Sequence, residues 1–207
     1  MSETPARSWQ WKCLQVFSRL TTTIFFDIKV WGLENIPKDG GVLLLSNHQS
    51  FMDPVLLAHR LKRPVSYMAR SDLFEKNRFF TWLITSLHAF PIKRASADIG
   101  ALKQAIQRLQ EGHVLNVYPE GTRTNDGEIG PIQPGVALVV RKAGVPVVPV
   151  VLDGSFQSWP KKGQKFRFHP IRIMYGKPMS FQGLKNDQIL AIIDETLRRM
   201  LKELREK

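Results

Sequence analysis

Short apolar runs alternate with amphipathic helical patterns along the chain, and this alternation restricts the fold class. The run from Val42 to Leu45 is a candidate buried strand, and similar runs occur at Val65 to Ala69, Val114 to Tyr118 and Ile171 to Tyr175. A helical pattern closes the chain from Asn186 to Leu204. Strands that alternate with helices are typical of α/β folds. The sequence therefore predicts one α/β domain with a mixed, mostly central β-sheet flanked by helices.

Prolines affect the prediction of one further strand and one further helix. The apolar run from Val145 to Val151 contains Pro146 and Pro149. Because proline cannot donate a ladder hydrogen bond, this run is predicted to be an edge strand or an interrupted one. Asp53 is a favoured N-cap residue, and the following Pro54 suits the first helical position, so a helix is predicted to begin there with Asp53 as its cap.

Residues 1–27 precede the predicted main domain at 28–207. Apolar side chains recur at helical spacing between Trp9 and Phe26, which predicts an N-terminal amphipathic helix. Two readings stay open: its apolar face packs on the domain, or the helix lies at a membrane interface with aromatic rings among acyl chains and cations near phosphates. The residues concerned are Trp9, Trp11, Phe17, Lys12 and Arg19.

No stretch reaches the roughly 20 predominantly apolar residues that a transmembrane helix needs. No transmembrane span is therefore predicted, and contact with the membrane surface stays open at this point. The expected localisation is membrane association from the cytoplasmic side, peripheral or monotopic. The single cysteine, Cys13, cannot form an internal disulfide. The five histidines lack metal-ligand spacing with cysteines or carboxylates, so no metal site is predicted.

The charge balance points to anionic partners. Thirty lysines and arginines against 18 aspartates and glutamates give a net charge of +12, which favours nucleic acid, acidic lipid or an acidic carrier protein. From Phe156 to Phe168, four cations are interleaved with aromatic residues. That run fits a basic nucleic-acid-binding domain or an anionic lipid surface, but it lacks a recognised nucleic-acid-binding signature.

Three polar clusters follow predicted strands: His48 to Asp53, Lys93 with Arg94, and Glu120 to Arg123. Ligand sites in α/β sheets lie at the carboxyl ends of strands. Together the clusters offer a base with a carboxylate and several cations, which suits an anionic substrate whose hydroxyl must be deprotonated. Each cluster alone also has a structural explanation: a hydrogen-bonded histidine, a helix cap, or an arginine paired with an acidic neighbour.

The same clusters resemble those of the glycerolipid acyltransferases typified by bacterial 1-acyl-glycerol-3-phosphate acyltransferase. The resemblance covers residues 28 to 180 and includes four blocks in the family's order. The blocks are Asn47 to Asp53, similar to H-x4-D; Ala89 to Arg94; Tyr118 to Arg123, similar to F-P-E-G-T-R; and the proline-bearing run Val145 to Val150. Tyr118 stands where phenylalanine is usual, and Lys93 where an acidic residue is frequent.

The resemblance implies transfer of a fatty acyl group from an acyl thioester, on acyl carrier protein or coenzyme A, to the free hydroxyl of 1-acyl-glycerol-3-phosphate, making phosphatidic acid. Its implied partners are the lysophospholipid acceptor, the thioester donor and an anionic membrane surface, with no nucleic acid. No cofactor is expected beyond the acyl-ACP or acyl-CoA co-substrate. Another lysophospholipid or glycerolipid acceptor is the alternative function, and a nucleic-acid-binding domain is a more distant one.

The resemblance also implies residue roles. His48 is expected to take the hydroxyl proton while Asp53 orients its imidazole. The acceptor phosphate is expected to be bound by Arg94, Glu120, Gly121, Thr122 and Arg123, with Glu120 orienting Arg123 or a glycerol hydroxyl. An acyl pocket or scaffold is expected from Val145, Pro146, Val147, Val148 and Pro149. Ser50 raises the alternative of an acyl-enzyme, although the acceptor's own hydroxyl can be the nucleophile.

Overall fold

The computed structural model describes residues 26–75, 77–86, 88–92, 99–161 and 165–207, with helical positions 9, 12, 13, 15, 16 and 20 before them. In this part of the chain the strands are β1 (Ile28–Trp31), β2 (Val42–Ser46), β3 (Val65–Arg70), β4 (Ala89–Ile92), β5 (Val114–Val117), β6 (Val147–Asp153) and β7 (Ile171–Tyr175). The helices are α1 (Asp53–Ala58), α2 (Arg78–Ser86), α3 (Ile99–Gln110), α4 (Gly135–Ala143), α5 (Ser155–Ser158) and α6 (Asn186–Arg205).

The strands form one mixed sheet in the order β1-β7-β6-β2-β5-β3-β4. β6 and β7 pair antiparallel, whereas β2 pairs parallel with both β5 and β6. The predicted α/β domain with a mixed central sheet is confirmed. Because β2, β5 and β6 run in the same direction, their carboxyl ends meet at one edge of the sheet, where ligand sites are expected.

Strand β2 is buried on both faces, which explains its continuous apolar sequence. Leu43 and Leu45 join a core cluster with side chains of α3, α4 and α6, while Val42 and Leu44 join a second cluster that includes leucines of α1. A shift by one residue would exchange the two faces, so tight packing on both sides fixes the register of the strand. The loop that follows β2 therefore starts from a fixed point.

The prediction that the proline-bearing run is an edge or interrupted strand is wrong. β6 lies between β7 and β2 and contains the buried Pro149. The N–H of Val147 donates to the carbonyl of Met179 at 3.0 Å, and successive N–H groups point alternately to the two neighbours of a strand. The donor that Pro149 lacks therefore faces the segment after β7, not β2. The carbonyl of Pro149 still accepts from Gly176 at 2.8 Å.

At the N terminus, a polar side chain of the predicted helix contacts the domain. The amide of Gln15 donates to the carbonyls of Ala58 and Leu61 at 3.0 and 2.7 Å. Three apolar residues at described positions are exposed instead: Trp9, Val16 and Leu20. These three side chains do not pack on the described domain, and the interfacial reading of the helix stays a prediction. Trp11, Phe17 and Arg19 lie outside the described residues.

Within the described residues, no helix combines the length and the apolar composition required to cross a bilayer.

Glycine is required where β6 passes into α5. Gly154 has φ of +93°, and a Cβ there would overlap the carbonyl oxygen of Pro170. Gly183 also has a positive φ, +78°, but no atom lies within 4 Å of the position of its Cβ. An alanine at Gly183 therefore meets backbone strain alone, whereas an alanine at Gly154 meets strain and steric overlap together.

We expect Gly154→Ala to lower the free energy of unfolding by about 3 kcal/mol, since left-handed strain of about 1–2 kcal/mol adds to an overpacking cost of about 1–3 kcal/mol. Gly183→Ala should show the strain alone. Urea denaturation measures both variants against the wild type. Equal losses in the two variants would contradict the role given to the Pro170 carbonyl.

Candidate active site

His48, in the loop between β2 and α1, contacts Asp53, the first residue of α1. Nδ1 of His48 lies 2.7 Å from Oδ2 of Asp53. The carboxylate is fully buried, whereas 18% of the imidazole side chain is exposed. Because Nδ1 faces the carboxylate, Nε2 is the ring nitrogen left for proton exchange with a ligand. The pair has the geometry of a general base with its orienting carboxylate.

The prediction that Asp53 caps α1 is wrong. The N-cap position is Met52, and no side chain makes a cap hydrogen bond there. Oδ2 of Asp53 instead accepts from the backbone N–H groups of Gln49 and Ser50, at 2.6 and 2.8 Å. These donors lie before the helix, so the loop curls back over its own carboxylate. That curl brings His48 into contact although it is five residues away.

The second carboxylate oxygen of Asp53 accepts a hydrogen bond from a residue that follows β6. The hydroxyl of Ser155, fully buried at the start of α5, lies 2.7 Å from Oδ1 of Asp53 and 3.2 Å from Oε1 of Gln49. A hydroxyl has one hydrogen, and the shorter contact marks Asp53 as its acceptor. Gln49 in turn donates to the carbonyl of Gly127 at 3.0 Å. Both oxygens of the carboxylate therefore have donors.

Two buried side chains fix the backbone around His48. Asn47 exchanges two hydrogen bonds with the backbone of Leu152, at 2.9 and 2.8 Å, and so extends the pairing of β2 with β6. Oε1 of Glu120 accepts from the N–H of His48 at 2.9 Å, and its Oε2 accepts from Gly130 at 2.8 Å. Burial raises the pKa of Glu120, and these two N–H donors act in the opposite direction.

Glu120 consequently has a different contact from the one expected. Its carboxylate oxygens accept from the backbone, and no ion pair with Arg123 occurs among the described residues. Glu120 is 4% exposed, which leaves little of it for a ligand. It ties the loop after β5 to the loop after β2, and so fixes the place of His48.

The ring of Tyr118 stacks on the imidazole of His48, with centroids 3.8 Å apart and planes 15° from parallel. Its hydroxyl is buried and has no hydrogen-bond partner among the described residues. Burial raises the pKa of Tyr118 well above its usual range, so the hydroxyl stays neutral. Tyr118 therefore acts as a flat wall for the imidazole, a role that phenylalanine can fill equally well.

Arg123 provides a fixed cation two residues beyond Gly121. Its Cζ lies 3.5 Å from the centroid of the Phe51 ring, a cation–π contact. Desolvation by burial lowers the pKa of Arg123, but a guanidinium remains charged at neutral pH. Nη1 is buried and lacks a hydrogen-bond partner within the described residues. An unsatisfied buried donor is costly, and an anionic ligand would satisfy it.

The other residues expected at the phosphate lie as follows. Gly121 has φ of +69°, which the turn requires, and its N–H donates to the carbonyl of Tyr118 at 3.0 Å. The hydroxyl of Thr122 accepts from Nζ of Lys161 at 3.0 Å. Arg94 lies outside the described residues. Strand β4, which precedes it, is parallel to β3 and so ends at the same edge as β2.

A family model described as Acyltransferase matches residues 27–153, more than half of the 207-residue chain. The chain belongs to the acyltransferase family. The matched segment includes the His48 loop and the Glu120 to Arg123 turn, the two parts of the site described above.

Relatives and a solved structure support the assignment. A 1-acyl-sn-glycerol-3-phosphate acyltransferase of Bacillus subtilis (strain 168) is 29% identical over 87% of this chain and 89% of its own length. A chloroplastic 1-acyl-sn-glycerol-3-phosphate acyltransferase of Brassica napus is 30% identical over 75% of this chain, which spans 46% of that protein. The crystal structure of the 1-acyl-sn-glycerophosphate acyltransferase PlsC from Thermotoga maritima superposes with a TM-score of 0.81. It shows 28% identity and covers 95% of this chain and 80% of that one.

In this acyltransferase the proline-bearing block lies within the sheet. Val147 and Val148 are buried in the two core clusters on opposite faces of β6, and Pro149 is buried between β2 and the segment after β7. Val145 packs partly buried against the first cluster, while Pro146 is exposed. Of the two roles expected for this block, acyl pocket or scaffold, these positions fit the scaffold.

Ser50 is fully buried, and its hydroxyl donates to the carbonyl of Trp159 at 2.8 Å. A nucleophile must reach a ligand, so this position argues against an acyl-enzyme on Ser50.

Sequence reasoning assigned no role to two residues of the site, Asn47 and Ser155. Asn47 gives a weak signal, since it is polar and directly follows a buried strand. Ser155 gives none, because it contacts Asp53 across 102 residues of sequence. Its neighbour Ser158 is equally buried, but its hydroxyl donates to the carbonyl of Gly154 at 3.0 Å. Ser158 is therefore a matched control for Ser155.

We expect Ser155→Ala to lower kcat/KM for acyl transfer about tenfold or more, because a hydrogen bond to a charged group contributes about 1.5–3 kcal/mol. Ser158→Ala should remain close to the wild type. Steady-state kinetics test this, with thermal unfolding to show that both variants fold. Similar kinetic losses in the two variants would indicate that α5 matters only for packing.

Proposed function

We propose that the protein transfers a fatty acyl group from an acyl thioester, on acyl carrier protein or coenzyme A, to the free hydroxyl of 1-acyl-glycerol-3-phosphate, making phosphatidic acid. The observation that carries the proposal is the hydrogen bond between His48 and the buried Asp53. Phe51, from the same loop, contacts the guanidinium of Arg123. The similarity to proteins named as 1-acyl-sn-glycerol-3-phosphate acyltransferases supports the choice of acceptor.

In the proposed reaction, Nε2 of His48 takes the proton of the acceptor hydroxyl as the oxygen attacks the thioester carbonyl carbon. Asp53 stabilises the resulting imidazolium and accepts a hydrogen bond from Nδ1 of His48, which keeps a proton on that nitrogen. When the tetrahedral intermediate collapses, the C–S bond breaks and the thiolate leaves. The imidazolium returns the proton to sulfur, so the products are the ester and the free thiol.

Arg123 is proposed to bind the acceptor phosphate. Its unpartnered Nη1 offers a charge-assisted hydrogen bond, and the Phe51 ring holds the plane of the guanidinium. Arg94 is proposed as a second phosphate ligand, and Gly121 and Thr122 as part of the same turn. Glu120 contributes by holding the loop backbone. In this arrangement the phosphate of the acceptor is bound by the arginines, and its free hydroxyl faces His48.

The deciding experiment incubates the protein with an acyl thioester of acyl carrier protein or of coenzyme A and follows thiol release with and without lysophosphatidate. We expect release that depends on the acceptor and yields phosphatidic acid. The choice of donor follows from which thioester is consumed faster. Absence of acceptor-dependent release with both donors, or faster release with an uncharged or zwitterionic acceptor, would overturn the proposal.

Loss of either member of the pair should remove most of the acyl-transfer activity. We expect His48→Ala and Asp53→Ala to lower kcat about a hundredfold to ten-thousandfold, the usual contribution of a general base. Ser50→Ala should keep most of the activity, because the acceptor hydroxyl is the nucleophile. Thiol-release kinetics of the purified variants provide the measurement.

Asp53 also organises its loop, so Asp53→Asn serves as a second variant that keeps the size of the side chain. Circular dichroism and thermal unfolding establish that each variant is folded. A folded but inactive Ser50→Ala would reopen the covalent route.

Arg123→Gln should raise KM for lysophosphatidate about tenfold to a hundredfold, the range expected for a lost hydrogen bond to a charged group. The effect on kcat should be smaller, because Arg123 is proposed to hold the phosphate and not the reacting atoms. Arg141→Gln, at an exposed position in the last turn of α4, removes the same charge elsewhere and is the control. An unchanged KM in Arg123→Gln would remove Arg123 from the phosphate site.

A further inference from the structure

Five aromatic side chains form a continuous surface strip that begins beside the His48 site. We call this set the aromatic strip: Phe26, Phe51, Trp159, Phe166 and Phe168. Ring centroids are 6.3 Å apart for Phe51 and Trp159, 6.0 Å for Trp159 and Phe166, and 5.2 Å for Phe166 and Phe168. Phe26 contacts the last two rings at 5.9 and 5.6 Å. Three separate segments of the chain thus contribute to one apolar surface.

Four of the five rings are exposed, whereas Phe26 is partly buried against the second core cluster. The exposed fraction is 54% for Phe51, 43% for Trp159, 44% for Phe166 and 62% for Phe168. Aromatic side chains carry large apolar areas whose burial is favourable. A contiguous apolar patch at the surface marks an interaction site.

The segment that supplies most of the strip is strongly cationic. Between Asp153 and Asp187 the sequence has seven lysines and arginines and no aspartate or glutamate. Lys165 and Arg167 flank Phe166 in sequence and are exposed. A partner that fits this surface therefore has an apolar region for the aromatic rings and negative charges beside that region.

The strip is joined to the active site by direct contacts. The Phe51 ring lies under the guanidinium of Arg123. The carbonyl of Trp159 accepts from Ser50, and Nζ of Lys161 donates to Thr122. A surface that binds the strip therefore lies beside the residues proposed to hold the acceptor phosphate.

We propose that the aromatic strip docks on an anionic lipid bilayer, with its rings at the level of the headgroups and Lys165 and Arg167 against lipid phosphates. The strip would place the site beside the surface from which a lysophospholipid enters. This step rests on the proposed function, because it takes the acceptor to be a lipid. Docking itself requires no catalysis.

The ring geometry favours a bilayer over nucleic acid. Phe26 and Phe166, Trp159 and Phe166, and Phe166 and Phe168 meet edge to face, with interplanar angles of 82°, 89° and 86°. Such packing gives one compact apolar surface, whereas single-stranded nucleic acid uses separate ring faces on which successive bases stack.

Sedimentation with vesicles tests the proposal. The full chain is mixed with vesicles of phosphatidylcholine alone and of phosphatidylcholine with phosphatidylglycerol, and the partition coefficient is measured. We expect tighter binding to the anionic vesicles. The double variant Phe166→Ala/Phe168→Ala should bind about 25-fold more weakly, at about fivefold for each half-exposed ring. Lys165→Gln/Arg167→Gln should lose about fivefold for each cation, on the anionic vesicles only.

A matched pair of tryptophans controls for general loss of apolar surface. Trp82 in α2 is 47% exposed, close to the 43% of Trp159, and is not part of the strip. Trp159→Ala should weaken vesicle binding about fivefold, and Trp82→Ala should leave it unchanged. Thermal unfolding accompanies each variant. The two exposed cations provide a test that leaves ring packing intact.

The proposal is overturned if the strip variants bind anionic vesicles as the wild type does, or if Trp82→Ala loses as much as Trp159→Ala. It is also overturned if these variants keep vesicle binding but lose binding to acyl carrier protein or to single-stranded nucleic acid. His48→Ala should bind vesicles like the wild type. If the wild type binds vesicles but shows no acyl transfer, the proposed function is contradicted and the docking surface is still supported.

Discussion

The carboxylate of Asp53 is fully buried, and a buried charge is tolerated only where donors surround it. Two backbone N–H groups, the Ser155 hydroxyl and the imidazole of His48 meet this requirement at 2.6 to 2.8 Å. Together these donors restrict three parts of the chain. The curl of the loop after β2, the start of α5 and the orientation of the imidazole are all consequences of satisfying one carboxylate.

This requirement links strands that are distant in sequence. Asn47 pairs with the backbone of Leu152 at the end of β6, and Ser155 follows two residues beyond that strand. Glu120, just after β5, accepts from the N–H of His48. The central trio of parallel strands therefore converges on one histidine, and the register of β2 sets the place of all three loops. Buried polar networks of this kind are stable when every member is satisfied.

The sequence allowed the α/β class and the polar clusters at the strand ends to be predicted, because these depend on local pattern and on the direction of parallel strands. The pairing of His48 with Asp53 was expected only from the family resemblance. It failed where a long-range contact overrides a local preference. Aspartate is a favoured helix N-cap residue, yet the carboxylate of Asp53 accepts from N–H groups before the helix and from Ser155. Pro149 was expected at an edge, yet it fits an interior strand because its missing donor faces the segment after β7. No local pattern marks Ser155, whose role exists only after folding.

The loop that carries Trp159 connects the polar site to the aromatic strip. The carbonyl of Trp159 accepts a hydrogen bond from the hydroxyl of Ser50. The next residue, Phe51, contacts the guanidinium of Arg123 with its ring. The polar contacts need a water-poor, rigid surrounding to keep the imidazole and guanidinium in place, since low dielectric strengthens them. The neighbouring rings provide such a surrounding while remaining half exposed themselves. A lipid surface laid against those rings would remove further water from the same site, so docking and pre-organisation of the polar groups act in the same direction.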